Sequence, residues 1–287
     1  MTSSILVAQL ALYAPLTLPT IYLLCSHGRH GLLAWLYLLA FCVLRVTGAA
    51  MGLNDPRNAG TQIISSIGLS PLLLSIDGIL HEAYVLPKLT QDRTLFPENL
   101  LFSPQQTNRM GIYGAHPCPL ATGVAMVGVG AGGLLSDMAK DSDLSNLKVG
   151  MVLMEVAWAV LVSWGLWTLW NGRGWGWKSG RNRGAPAGLA RREGILLLTG
   201  ALIALPLLEI SVIYMLVAEF TQRADLNPTT GSLAVRVVLG FFPELLAAIV
   251  LVFVGIMTRG KALELETWNS VVRKVTLGFA FALESGR

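Results

Sequence analysis

Apolar residues in this chain do not alternate and do not form narrow stripes; they run in blocks of twenty or more. A bilayer-spanning helix needs about 20 such residues. Seven blocks qualify: Ser4–Cys25, Gly31–Leu53, Gln62–Leu86, Pro117–Met138, Val149–Trp170, Ile195–Thr221 and Leu233–Met257. The pattern therefore predicts an all-α polytopic membrane protein with seven transmembrane helices in one domain, residues 1–258. Beyond the last block, Leu265, Trp268, Val272, Val275 and Phe279 recur at three- and four-residue steps. That spacing predicts an amphipathic helix in the cytosolic tail, residues 259–287, lying in the interface or docked on the bundle.

Composition agrees. Of 287 residues, 53% are apolar and only 13% charged, with a mean hydropathy of +0.59; soluble domains carry about 25% charged residues. The net charge of +4 lacks the basic, aromatic-interleaved face that nucleic acid requires. Cys25, Cys42 and Cys118 have no paired spacing, and four scattered histidines have no acidic cluster at ligand spacing. We therefore expect free thiols, no disulfide framework, no metal and no cofactor. The first block has no basic leader and no small-residue cleavage site, so it reads as a retained helix that also targets the chain.

The basic residues fix an expected orientation. Outside the seven blocks, fifteen Lys and Arg fall on one side and four (Arg57, Lys140, Lys148 and Arg223) on the other. The positive-inside rule then places the N-terminus in the lumen or outside, and the tail in the cytosol. The fourth block holds Gly123, Gly128, Gly130, Gly132 and Gly133. Without a preceding strand or a following lysine, these mark close helix packing rather than a phosphate loop.

The chemistry lies in charges set inside the blocks: Arg45, Asp77, Glu155, Glu209, Glu244 and, nearer a helix end, Arg236. A charge at such depth costs several kcal/mol unless paired, neutralised or wetted. Four acids face two bases, so at least two carboxyls have no cation of their own and are candidates to stay protonated at neutral pH. Structural pairing of Arg45 with Glu244, and of Arg236 with Glu219 or Glu155, accounts for the arginines. Glu209 and Glu155 remain as candidate acids. Ser70, Asp77 and His81 form a polar stripe in the third block, open to a structural or a functional reading. Glu82 and Glu219, near helix ends, are placed to reach water. Pro206 precedes Glu209 by three residues, Pro243 adjoins Glu244, and Pro15 and Pro19 punctuate the first block among Tyr13, Thr17 and Tyr22. Kinks at these prolines free carbonyls and suit a central cavity, into which the outer-half charges could converge. Trp158 lies one turn from Glu155, where its ring could line that cavity; Trp167 and Trp170 read as interfacial belt residues.

Several short segments carry a resemblance: Arg29-His30-Gly31, Arg45-Val46-Thr47-Gly48, Gly68-Leu69-Ser70-Pro71-Leu72-Leu73, Ala204-Leu205-Pro206 with Tyr214 downstream, and Pro243-Glu244-Leu245. Together they resemble a large family of fungal seven-helix membrane proteins. That family includes membrane-bound terpene cyclases of meroterpenoid pathways, of the ascochlorin, ascofuranone and macrophorin type. The resemblance implies cyclisation of a farnesylated aromatic or cyclohexenone, started by protonating a terminal epoxide or alkene. It also implies an endoplasmic reticulum location, with a prenyltransferase or epoxidase upstream in the same membrane. In such an enzyme Glu209 or Glu155 would deliver the proton, with Asp77 and Glu244 as further candidate carboxyls. Arg45, Arg236 and His81 would orient them, while Trp158, Tyr214, Tyr13 and Tyr22 would hold a lipid-like prenylated substrate. The family pattern carries an arginine where Ser211 stands and a small residue where Glu209 stands. The departure separates an Arg45–Glu244 framework from a Glu209 specific to this chain. Two other readings stay open: a seven-helix sensor or receptor-like protein that binds a ligand with these acids, and a proton-coupled transporter, although no inverted repeat is visible.

Overall fold

A computed structural model describes residues 2–54, 64, 68–95, 141–174, 185–221, 223–227 and 231–258. Among these the chain is helical throughout. The helices are α1 (Thr2–Ser26), α2 (Gly28–Asn54), α3 (Ser70–Leu95), α4 (Asp141–Gly174), α5 (Ala185–Thr221) and α6 (Leu233–Thr258). A single 3-10 turn, Ala224–Leu226, stands between α5 and α6.

Five helices (α1, α2, α4, α5 and α6) are long and apolar enough to cross a membrane, which makes this an integral membrane protein. They coincide with five of the seven predicted blocks. The third block is shifted: its helix begins at Ser70 after a turn at Gly68–Leu69 and runs on to Leu95. Pro71 explains the start, because a proline fits the first helical turn, where its missing N–H has no partner to lose. The fourth block, Pro117–Met138, and the tail helix lie outside the described residues.

The helices bury aliphatic faces together with the large rings of Trp35, Tyr13 and Phe41, and turn other apolar side chains outward. Leu18, Val238, Phe253, Trp167 and Trp170 are all exposed, as lipid-facing residues are. Trp167 and Trp170 fit the belt reading. Helix α2 packs between α1 and α3, and α5 packs against both α3 and α4. Close approach of α2 and α3 depends on Gly78: a Cβ there would sit 2.8 Å from the Ala34 Cα. Helix α6 packs against α5 and α2, with Val254 over Gly200 of α5 and the Trp35 ring of α2 against Gly255.

Candidate functional site

The outer-half charges do not meet at one point. They sort into three contacts, each between different helices.

The first joins α2 to α6. Arg45 Nη2 and Glu244 Oε2 form an ion pair whose side chains are only 11% and 6% exposed. The Phe41 ring, one turn earlier on α2, lies 5.5 Å from the guanidinium carbon. Gly68, in the turn before α3, gives the guanidinium its space: a Cβ there would come within 3.1 Å of Cζ. Three of the short sequence motifs, those of Arg45, Gly68 and Glu244, thus meet at one ion pair. Tyr13 of α1 is fully buried beside it, its ring edge-on to Phe41 at 5.5 Å and to Phe241 at 6.0 Å. Its hydroxyl has no partner among the described residues. Arg45 and Glu244 therefore form the structural pair that the sequence offered for them.

Pro243 shapes the helix that carries Glu244. A proline lacks the N–H that would bond the carbonyl four residues earlier, and its ring crowds that carbonyl. Arg236–Phe241 accordingly widen into a π turn, in which the Phe242 N–H donates to the Val237 carbonyl. The Ser211 hydroxyl of α5 donates to the Leu239 carbonyl at 3.1 Å and to the Gly240 carbonyl at 3.3 Å. Ser211 is thus a structural partner of the π turn.

The second contact joins α4 to α5. The Glu155 and Glu209 carboxyls meet at hydrogen-bonding contact. Their remaining Oε2 atoms are buried without a partner among the described residues. Two carboxyls can share a hydrogen bond only if the pair holds a proton, because two adjacent carboxylates repel and both are acceptors only. The Trp158 indole N–H donates to the Leu205 carbonyl at 2.9 Å, beside Pro206. It fixes the α4–α5 crossing one turn from the acid pair. Both glutamates are half-buried, so the pair is open to one side of the described bundle.

The third contact joins α5 to α6. Arg236, the first residue of the π turn, has the Tyr214 phenol as its electrostatic neighbour. Neither Glu219 nor Glu155 forms an ion pair with it among the described residues, which corrects the expected pairing. The extra residue in the π turn rotates Arg236 by about 100° relative to an unbroken helix. Register counted along the sequence therefore fails there.

The α3 stripe is less uniform than expected. Ser70 is buried and meets the Met154 sulfur at 3.7 Å, Asp77 is half-buried and His81 is exposed. The Asp77 and His81 side chains remain electrostatic neighbours. Tyr22 lies on the exposed side of α1. Glu82 does not reach water: it is 3% exposed, against the Gly31 backbone and next to Trp35 and Glu193. Glu193 and His27 are as deeply buried, and the sequence reading overlooked this second polar cluster. The residues lie near block ends, where hydropathy alone reads them as interfacial. Among the described residues no three His, Cys, Asp or Glu side chains gather to hold a metal ion.

The family model described as a domain of unknown function (DUF7702) matches residues 1–261. The chain belongs to that family. The match takes in all six helices and all three contacts. No curated protein and no solved structure matches the chain.

Proposed function

We propose that this protein is a membrane-bound terpene cyclase acting on a farnesylated aromatic or related prenylated precursor. The observation that carries the reading is the Glu155–Glu209 contact. A carboxyl pair that shares one hydrogen bond in an apolar bundle is a Brønsted acid, and general acid catalysis near neutral pH needs such a donor. The sequence resemblance supplies the substrate class; the site supplies the acid.

In this mechanism the protonated member of the pair adds its proton to the terminal epoxide oxygen or alkene of the substrate. The C–O or π bond electrons move, a carbocation forms, and the neighbouring double bonds attack in turn. Loss of a proton from the final cation to the carboxylate restores the pair, so product and substrate have equal mass. Aromatic faces stabilise a passing cation by ~1–2 kcal/mol where water is excluded, a role for Trp158. The Arg45–Glu244 pair holds α2 and α6 in place rather than donating. The seven-span count, the outward N-terminus and the endoplasmic reticulum location rest on the sequence pattern and resemblance. They suit an enzyme whose substrate arrives through the bilayer from a prenyltransferase or epoxidase.

The test is turnover of epoxyfarnesyl-phenol in yeast microsomes. Wild type should give a product of unchanged mass and altered retention, and Glu209→Gln and Glu155→Gln should each lower turnover by roughly 100-fold or more at equal expression. Wild-type turnover in both variants would remove the pair from the reaction.

A further inference from the structure

At the α5–α6 contact two buried hydrogen-bond donors have no acceptor among the described residues. The Tyr214 hydroxyl has no partner among them, and its residue is 5% exposed. Arg236 Nε is buried without a partner among them, and that same phenol is its electrostatic neighbour. Among the described residues no carboxylate forms an ion pair with this guanidinium. Arg236 as a whole is half-buried, so the cost falls on two buried donors left unsatisfied, its Nε and the Tyr214 hydroxyl. Arg236 opens the π turn of α6, and π turns recur at functional sites. Gly240, one helical turn along, leaves the Tyr214 ring free of side-chain crowding, since even a Cβ there would only touch the ring at 3.6 Å. Both donors belong to the α5–α6 contact and act on each other electrostatically, on a different helix pair from Glu155 and Glu209.

We propose that Arg236 and Tyr214 form a binding site for an anionic oxygen, carboxylate, phenolate or phosphate, through charge-assisted hydrogen bonds. If the cyclase reading holds, the ligand is the acidic aromatic head of the substrate. The head sits between α5 and α6, and the prenyl chain runs towards the Glu155–Glu209 acid. The same chemistry suits the phosphate of an anionic phospholipid. The site rests on the cyclase reading only for the choice of a farnesylated probe.

The experiment uses the full chain in phosphatidylcholine nanodiscs, with a farnesylated hydroxybenzoic acid, its methyl ester, or added phosphatidylglycerol. Binding is read by intrinsic tryptophan fluorescence and thermal stability. For a substrate head, the acid should bind wild type roughly tenfold or more tightly than the ester, and Arg236→Gln should abolish that preference. For a lipid, phosphatidylglycerol should stabilise wild type and not Arg236→Gln. Either result supports the site and says which ligand fills it. Equal responses of wild type and Arg236→Gln in both arms overturn it. Should Arg236→Gln fail to fold, Tyr214→Phe carries the test, with a smaller loss of the same preference expected and an unchanged preference overturning the site. Glu209→Gln should bind the acid as wild type does. Failure of the acid assignment, seen as turnover in that variant, is thereby separated from failure of the anion site.

Discussion

Ser211 on α5 donates its hydroxyl hydrogen to the Leu239 carbonyl of α6 at 3.1 Å, the carbonyl whose helical partner would be the missing N–H of Pro243. A proline defect in one helix is thus answered by a side chain of its neighbour. Removing the hydroxyl takes a donor from a part-buried carbonyl, at a cost of about 1 kcal/mol. Ser211→Ala should lower the unfolding free energy in detergent by that amount. Pro243→Ala in the same background should recover much of it, because residue 243 regains an N–H. Additive losses in the two variants would show that the hydroxyl and the proline are unconnected.

The Arg45–Glu244 pair should behave as a buried ion pair rather than a surface one. Removing a single partner leaves an uncompensated charge, a loss of roughly 3–5 kcal/mol. Arg45→Met or Glu244→Leu alone should therefore unfold easily or fail to accumulate. The double variant, with both charges gone, should lie closer to wild type. Denaturant titration of the purified proteins measures this directly, and two harmless single variants would contradict it.

His27 gives the fold a pH limit. Its ring lies tilted against Trp35, centroids 4.4 Å apart; in the neutral tautomer Nδ1 donates to the Leu23 carbonyl at 3.3 Å and Nε2 accepts from the Thr258 hydroxyl at 3.2 Å. Burial lowers its pKa from 6.5 to about 4, against a smaller opposing effect of the Leu23 carbonyl. The unfolded chain therefore binds the extra proton between pH 6.5 and about 4. The stability contributed by neutral His27 is complete above pH 6.5 and is lost as the pH falls through that window. The loss amounts to about 3 kcal/mol at most. Thermal unfolding at pH 7.5 and 5.0 should show a steeper acid loss in wild type than in His27→Gln. Identical pH slopes would count against the buried neutral ring.

Charge arithmetic made part of the site legible in the sequence. Four acids against two arginines meant that at least two carboxyls had no cation of their own, and Arg45 with Glu244 was one pairing the sequence offered; Arg45 does pair with Glu244, and Glu155 meets Glu209. The arithmetic failed at Arg236, because a π turn changes register by a residue and no local pattern announces it beyond the adjacent Pro243. Glu82, near a block end, read as placed to reach water, while packing against Gly31 and Trp35 buries it; Glu193, equally buried, carried no sequence signal that set it apart. Trp158 was visible as a neighbour of Glu155, but its bond to the Leu205 carbonyl depends on how α4 crosses α5.

Stability and activity should part company at Glu155. In the wild-type pair the shared hydrogen bond needs a proton on one carboxyl. A glutamine at 155 donates an N–H to Glu209 without any proton exchange. Glu155→Gln should therefore match wild type in stability to about 1 kcal/mol. Glu155→Ala, which removes the hydrogen-bond partner of Glu209, should be less stable. Turnover should be lost in both variants, since neither retains a proton shared between two carboxyls. Unfolding midpoints, measured beside microsomal turnover, separate the contributions. If Glu155→Gln loses stability in step with its activity, the carboxyl pair is a packing element and its chemistry must be sought elsewhere in the bundle.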